Sequence, residues 1–136
     1  ILIASQIAVG EENNLKLRVY GENASIEWSQ MEPNSLWLRQ NEKAARLLRA
    51  GVGELCSQAE QAMRIPAGHP EGYLEAFANI YLNFVAQIRA FNLGEPANNE
   101  EYDVPGINEA IRGMAFIENA VAASNSETKW HSFNIG

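Results

Sequence analysis

The sequence predicts an α+β domain in which helices pack on one face of an open, mostly antiparallel β-sheet. Short segments of alternating apolar and polar residues fill the first half of the 136-residue chain, and two long segments with helical spacing of apolar residues fill the second. The connections between the strand-like segments are short, which is typical of antiparallel neighbours because parallel strands need a long crossover. We therefore interpret residues 1–136 as one domain.

Four segments of the first half have the alternation of a half-buried strand, and a fifth fits either a strand or a short helix. The four are ILIASQIAV (1–9), LKLRVY (15–20), SIEWSQ (25–30) and LWLRQ (36–40), and the ambiguous one is AARLLRA (44–50). The sheet face without helices then contains the following residues, or the alternate set if the register is inverted: Lys16, Arg18, Tyr20, Glu27, Trp37 and Arg39. Tyr, Trp and Arg are enriched at protein interfaces, but a solvated sheet face tolerates them too, so both interpretations stay open.

The second half predicts two amphipathic helices. Residues 51–63 are interpreted as a loop with a helical turn, and the first long helix runs from Pro70 to about Asn92. Its apolar stripe consists of Tyr73, Leu74, Phe77, Ile80, Tyr81, Phe84, Val85, Ile88 and Phe91. After a polar loop at 94–106, a second helix places Ile107, Ile111, Met114, Ile117 and Val121 on one side, and WHSF (130–133) fits a final short strand.

Composition limits the class of partner and the compartment. Hydrophobic residues make up 46% of the chain, enough to bury a core, and the net charge of −7 without a basic run argues against nucleic acid and anionic membranes. The single cysteine, Cys56, fits a reducing, cytoplasmic setting, and no apolar run approaches the ~20 residues that span a bilayer. Because the chain opens without Met inside a strand-like segment, we expect it to be part of a longer protein.

Known chemical motifs are incomplete in this chain. GVGELC (51–56) resembles a dinucleotide fingerprint but lacks the third small residue and a βαβ unit, so we interpret it as a loop. HPE (69–71) matches half of a zinc deaminase motif, but the paired cysteines of the other half are absent. Cys56 is expected to be a small buried hydrophobic residue rather than a nucleophile.

His69 has two interpretations that the residues alone leave open. It precedes a helix start in which Pro70 is the first helical residue and Glu71 favours the positive end of the helix dipole, between Gly68 and Gly72. In that case His69 is only a helix-entry residue. The residues alone favour this helix-entry interpretation, although loops at helix starts also bind ligands, which leaves contact with a small molecule as the alternative.

Three segments resemble the C-terminal domain of the Gfo/Idh/MocA oxidoreductases, the glucose-fructose oxidoreductase and inositol dehydrogenase family. They are GEENNLKLRVYGENASIEW (10–28), RIPAGHPEGYLEAFANIY (64–81) and GINEAIRGMAFIENAVAASNSETKW (106–130). The resemblance implies a two-domain enzyme whose N-terminal Rossmann domain binds NAD or NADP. Such an enzyme transfers hydride to or from a sugar, cyclitol or related polyol, and its C-terminal domain shapes the substrate pocket and forms a homo-oligomer through its open sheet face.

The chain lacks the family's glycine-rich unit, its Glu-Lys-Pro motif and the Asp and His that follow, so no catalytic role carries over. We therefore expect this chain alone to bind no NAD or NADP and to be inactive. In similar sequences the Gly-His-Pro-Glu segment lies near the substrate, which makes Gly68, His69, Pro70 and Glu71 candidates for the pocket wall. The alternative function is a non-catalytic binding or scaffold module on the same fold.

Overall fold

The computed structural model describes residues 1–95 and 104–135 and has an α+β fold, which confirms the predicted class. The chain divides into two compact units, Ile1–Asn79 and Ile80–Gly136. The first unit contains a four-stranded sheet and a short helix. The second contains most of one long helix and the whole of another.

The sheet is an antiparallel meander whose spatial order follows the chain order. Its strands are β1 (Lys16–Tyr20), β2 (Ala24–Ser29), β3 (Ser35–Gln40) and β4 (Arg46–Arg49). β4 settles the ambiguous AARLLRA segment as a strand, because it pairs with β3 through the Leu36–Leu48 and Trp37–Leu47 positions.

The register gives the sheet one apolar face and one polar face. Leu17 lies opposite Trp28, and Trp28 lies opposite Leu36, so side chains of the same kind line up across the strands. The apolar face contains Leu17, Val19, Ile26, Trp28, Leu36, Leu38 and Leu48, with Arg46 opposite Leu38 at its edge. The polar face contains the set predicted from sequence, namely Lys16, Arg18, Tyr20, Glu27, Trp37 and Arg39, and this confirms the register.

Two predicted strands are wrong. Residues 1–9 and 130–133 have the alternation of strands but form none, and neither segment pairs with a strand of the described residues. The physical reason is that alternation describes only the side chains, whereas a strand also needs a neighbouring backbone to accept and donate its hydrogen bonds.

The helices are α1 (Ser57–Ala62), α2 (Tyr73–Leu93) and α3 (Ile107–Ser124). The predicted loop over GVGELC and the helical turn after it are both present, but Cys56 is exposed, so the expectation that it is buried is wrong. α2 begins later than predicted, because the backbone N–H of Gly72 donates to Oε2 of Glu75 at 2.8 Å and starts the helix there. Pro70 is therefore not the first helical residue.

The C-terminal segment of the second unit is held against α3. The side-chain amide of Asn119 donates to the carbonyl of Asn134 at 2.8 Å and accepts from its N–H at 3.1 Å. The guanidinium of Arg112 lies 5.9 Å from the ring centre of Phe133. Most of the predicted polar loop at 94–106 lies outside the described residues.

Burial is much lower than the composition suggests. Within residues 1–95 and 104–135, Ala115 is the one buried hydrophobic residue, and the apolar stripes of α2 and α3 are exposed. The expectation of a substantial core is therefore wrong for these residues, because hydrophobic content allows burial but does not supply the surface that covers it. No described helix is long and apolar enough to cross a bilayer.

Candidate functional site

The candidate site is the loop between α1 and α2, which we call the His69 loop (residues 63–72). The Glu71 carboxylate connects the two ends of this loop. Its Oε1 accepts hydrogen bonds from the backbone N–H of Arg64 at 2.6 Å and of Ile65 at 2.7 Å. One oxygen near the end of the loop thus binds two donors at its beginning. Bonds to a charged acceptor are stronger than neutral ones, so Glu71 fixes the width of the loop.

Asn34, in the connection between β2 and β3, attaches the His69 loop to the sheet. Its side-chain amide donates to the carbonyl of Glu71 at 2.9 Å and accepts from the Glu71 N–H at 3.2 Å. The carbonyl of Asn34 also accepts from the N–H of Ala50, directly after β4, at 2.9 Å. One side chain therefore pairs with both backbone groups of Glu71, as a neighbouring strand would.

Asn79 in α2 makes a second attachment at the start of the loop. Its Oδ1 accepts from Nε and Nη2 of Arg64 at 3.2 and 2.8 Å, and its Nδ2 donates to the carbonyl of Ala62 at 2.7 Å. The last residue of α1 and the first part of the loop are thereby tied to the first turns of α2. We call Asn34, Arg64, Glu71 and Asn79 the frame of the loop.

The tip of the loop is a tight turn from Pro66 to His69. The N–H of His69 donates to the carbonyl of Pro66 at 3.2 Å, and Gly68 has φ +89°. A positive φ at the third position is the requirement of a type II turn, and glycine adopts it without strain. The imidazole Nδ1 lies 3.1 Å from the same Pro66 carbonyl, and the His69 side chain is exposed.

The structure separates the four residues predicted for the pocket wall. Gly68, His69 and Pro70 lie together at the exposed tip, whereas the Glu71 carboxylate points into the loop and bonds its backbone. The first-turn acid of α2 is Glu75 and not Glu71. The Gly72 hydrogen bond and then the backbone of Glu75 itself hold the pKa of the Glu75 carboxyl below its usual value.

Sequence reasoning missed Asn34 and Asn79. Asn34 occurs in the segment EPNS, where asparagine is an ordinary turn residue, and Asn79 occurs on a helix. Neither position has a sequence signal that links it to the His69 loop. Among residues 1–95 and 104–135, no cluster of three or more His, Cys, Asp or Glu side chains could hold a metal ion.

The polar sheet face is a second candidate surface. Glu27 forms ion pairs with Arg18 at 3.1 Å and with Arg39 at 3.0 Å, and the Arg39 guanidinium lies 5.5 Å from the ring centre of Trp37. Tyr20 is 75% exposed and Trp37 is 40% exposed, so two aromatic rings are available to a partner.

The ion pairs at Glu27 predict a pH dependence of stability. Desolvation raises the pKa of the Glu27 carboxyl, but the hydrogen bond and charge of Arg18 and the charge of Arg39 lower it by more, so the net pKa lies below its usual value. A depressed carboxyl pKa stabilises the folded state above the unfolded pKa of about 4.3, and this contribution disappears as the pH falls through the folded pKa.

We therefore expect the unfolding midpoint of Glu27→Gln to fall less than that of the unaltered chain between pH ~5 and ~3. Denaturant unfolding followed at several pH values measures this difference. Glu22→Gln, in the turn between β1 and β2, is the matched control and should keep the original pH dependence. Parallel pH curves for Glu27→Gln and the unaltered chain would show that the ion pairs contribute nothing.

Comparison with known proteins finds relatives that are named as oxidoreductases. No protein-family model matches the chain. A curated protein from Bacillus subtilis (strain 168), the uncharacterized oxidoreductase YfiI, is 36% identical over 131 residues, which are 95% of this chain and 33% of that protein. The crystal structure of an oxidoreductase from Sinorhizobium meliloti is 38% identical with a TM-score of 0.86, over 94% of this chain and 35% of the other.

An inositol dehydrogenase homolog from Azotobacter vinelandii is also similar, in two crystal structures. Its complex with NAD+ has a TM-score of 0.87, and its complex with NADH and myo-inositol has a TM-score of 0.85, both at 31% identity. Each match covers 95% of this chain but only 33% and 34% of that protein. The chain thus spans about a third of the length of the relatives it matches.

Proposed function

We propose that this chain, which belongs to the Gfo/Idh/MocA family of oxidoreductases, is the C-terminal substrate-binding and oligomerisation domain of an NAD(P)-dependent dehydrogenase. The observation that carries the proposal is the match of 95% of the chain to a third of an inositol dehydrogenase homolog whose structure contains NADH and myo-inositol. The exposed apolar stripes of α2 and α3 also support it, because such surfaces are usually covered by another domain or subunit.

We assign the dinucleotide to a part of the protein outside these residues. Two glycines, Gly51 and Gly53, follow β4, but β4 pairs antiparallel with β3 and leads only to the six-residue helix α1. A dinucleotide fingerprint instead joins a parallel strand to a long helix whose N-terminus binds the pyrophosphate. The described residues therefore do not fit the cofactor, and no catalytic step is assigned to them.

The role that we propose for the His69 loop is to bind the substrate, a sugar, cyclitol or related polyol. When bound, the nicotinamide supplies the hydride acceptor for an alcohol carbon of such a molecule. The tip of the loop offers an exposed imidazole beside Gly68 and Pro70, where small and rigid neighbours leave room for a hydroxyl-bearing ring. The frame of the loop holds the backbone on both sides of the turn that carries this imidazole.

The proposal predicts that this chain alone does not bind the cofactor. Calorimetric titration of the 136-residue chain with NAD+ or NADP+ should give no saturable heat, whereas the full-length protein should bind one of them and reduce it with a polyol such as myo-inositol. Saturable micromolar binding to the chain would contradict the assignment of the cofactor to another domain. A full-length protein without dinucleotide binding would favour the non-catalytic module.

We also propose that the polar sheet face forms a homo-oligomer. Tyr20, Trp37 and Arg39 are exposed on it, and most soluble homo-oligomers close through a two-fold axis that brings the same face of both subunits together. Sedimentation of the full-length protein should show a dimer or a larger symmetric assembly, and Trp37→Glu should shift it toward the monomer. An assembly that is unchanged by Trp37→Glu would place the interface elsewhere.

A further inference from the structure

We infer that His69 is held as the Nδ1–H tautomer, so that its exposed Nε2 is a hydrogen-bond acceptor for a substrate hydroxyl. The inference deepens the proposed function and rests on it, because it states which ring nitrogen binds the polyol and in which direction the hydrogen bond runs. Residue type alone does not decide this, since a neutral imidazole can donate or accept at either nitrogen.

The partner of Nδ1 decides the tautomer. Nδ1 lies 3.1 Å from the carbonyl oxygen of Pro66, and a carbonyl has no hydrogen to donate. The hydrogen of this bond therefore belongs to Nδ1. Since a neutral imidazole has only one N–H, Nε2 then has a free lone pair.

The same carbonyl also fixes the direction of the ring. Pro66 accepts from the backbone N–H of His69 at 3.2 Å as well as from Nδ1, so backbone and side chain of one residue converge on one oxygen. The imidazole thus folds back over its own turn, with Nδ1 toward the loop. Because Nε2 is on the opposite side of the ring, it is the nitrogen available to a ligand.

The frame of the loop makes this arrangement independent of substrate. Glu71 holds the beginning of the loop, and Asn34 holds its end, without either contacting the imidazole in the hydrogen bonds of the structure. Both are positioning residues that act through the backbone of the turn. The frame therefore holds the backbone of the turn, and the Pro66 carbonyl orients the ring on it, which lowers the cost of ordering the imidazole in the complex.

A chemical preference follows from an acceptor at Nε2. It binds a ligand hydroxyl through the hydroxyl hydrogen, whereas an ether or keto oxygen at the same position has no hydrogen to offer and leaves the bond unmade. We therefore infer that the polyol presents a free hydroxyl to His69, and that methylation of this hydroxyl weakens binding.

Nitrogen NMR of the full-length protein labelled with ¹⁵N in histidine tests the tautomer directly. At a pH where imidazole is neutral, His69 should show a protonated Nδ1 and an unprotonated Nε2, its signals being identified by their loss in His69→Gln. The resonances of a protonated Nε2 would overturn the inference, whatever the role of His69 in binding. This measurement needs no substrate, so its outcome is separate from that of the proposed function.

Three substitutions test the direction of the bond, with myo-inositol and NAD+ as probes of the full-length enzyme. Glutamine and glutamate both place an oxygen acceptor near the Nε2 position, but only glutamine can also donate, and asparagine is too short to reach it. We expect KM within about threefold of the unaltered enzyme for His69→Gln and His69→Glu, and an increase of about tenfold or more for His69→Asn. An increase for His69→Glu without one for His69→Gln would show that the site needs a donor and would overturn the inference. Unchanged KM in all three variants would instead remove His69 from the substrate site and contradict the proposed function.

Discussion

On the proposed function, replacing His69 by alanine in the full-length protein should raise KM for the polyol about 5- to 140-fold, with cofactor affinity and thermal stability nearly unchanged. The reason is that a substrate hydroxyl desolvated in the complex loses its partner, which costs about 1–3 kcal/mol, and each 1.4 kcal/mol is a factor of ten. His69 is exposed in this chain, and its ring bonds only its own turn in the described structure, so its removal should disturb folding little. Steady-state kinetics with varied polyol and saturating NAD+, together with thermal unfolding, measure both quantities.

The second histidine of the chain provides the matched control. His131 is also exposed and lies in the C-terminal segment, so His131→Ala should leave KM unchanged. The helix-entry interpretation of His69 predicts the opposite pattern to ours, namely a lower unfolding temperature and an unchanged KM. That pattern would remove the substrate role from His69.

Replacing Glu71 by alanine should lower the free energy of unfolding by about 2 kcal/mol. The Arg64 and Ile65 N–H groups lose a charged acceptor at 2.6 and 2.7 Å, and bonds to charged groups contribute about 1.5–3 kcal/mol each, reduced here because the loop is partly exposed. Urea unfolding of the variant should show a lower midpoint concentration, with an unchanged dependence of the unfolding free energy on urea concentration.

Glu54→Ala is the control for this experiment, because Glu54 is an exposed carboxylate of the same unit. It should change stability by less than about 0.5 kcal/mol. Glu71→Gln should lie between the two, since its amide oxygen still accepts but has no charge. Equal stability of Glu71→Ala and Glu54→Ala would show that the carboxylate does not support the His69 loop.

The strands and helices that depend on interactions between residues near in sequence were predicted from sequence patterns. Alternation over LKLRVY, SIEWSQ and LWLRQ predicted β1, β2, β3 and the six residues of the polar face, because side chains in a strand point to opposite faces in turn. Helical spacing predicted α2 and α3. The predicted end of α2 near Asn92 was close to its observed end at Leu93, since Gly94 has the positive φ of a helix terminus.

The missed features depend on distant partners. Asn34 and Glu71 are 37 residues apart, and no pattern in either neighbourhood indicates that one pairs with the backbone of the other. The start of α2 was predicted too early because Pro70 and Glu71 are typical first-turn residues. In the structure the Glu71 carboxylate accepts from the N–H of Arg64, and Glu75 is the acidic residue that accepts from the Gly72 N–H at the helix start. Residues 1–9 failed as a strand for the same general reason, the lack of a partner.

The division of the His69 loop into a frame and a tip has a consequence for how its specificity could diversify. Asn34, Arg64, Glu71 and Asn79 hold the loop through backbone groups and through one another, and none of their bonds involves the side chain of residue 67 or 69. Natural variation or a mutant library at His69 can therefore exchange the group offered to a ligand while the scaffold beneath it keeps its hydrogen bonds. The loop is in this sense an evolvable recognition element, in which new chemistry can be sampled with little loss of stability.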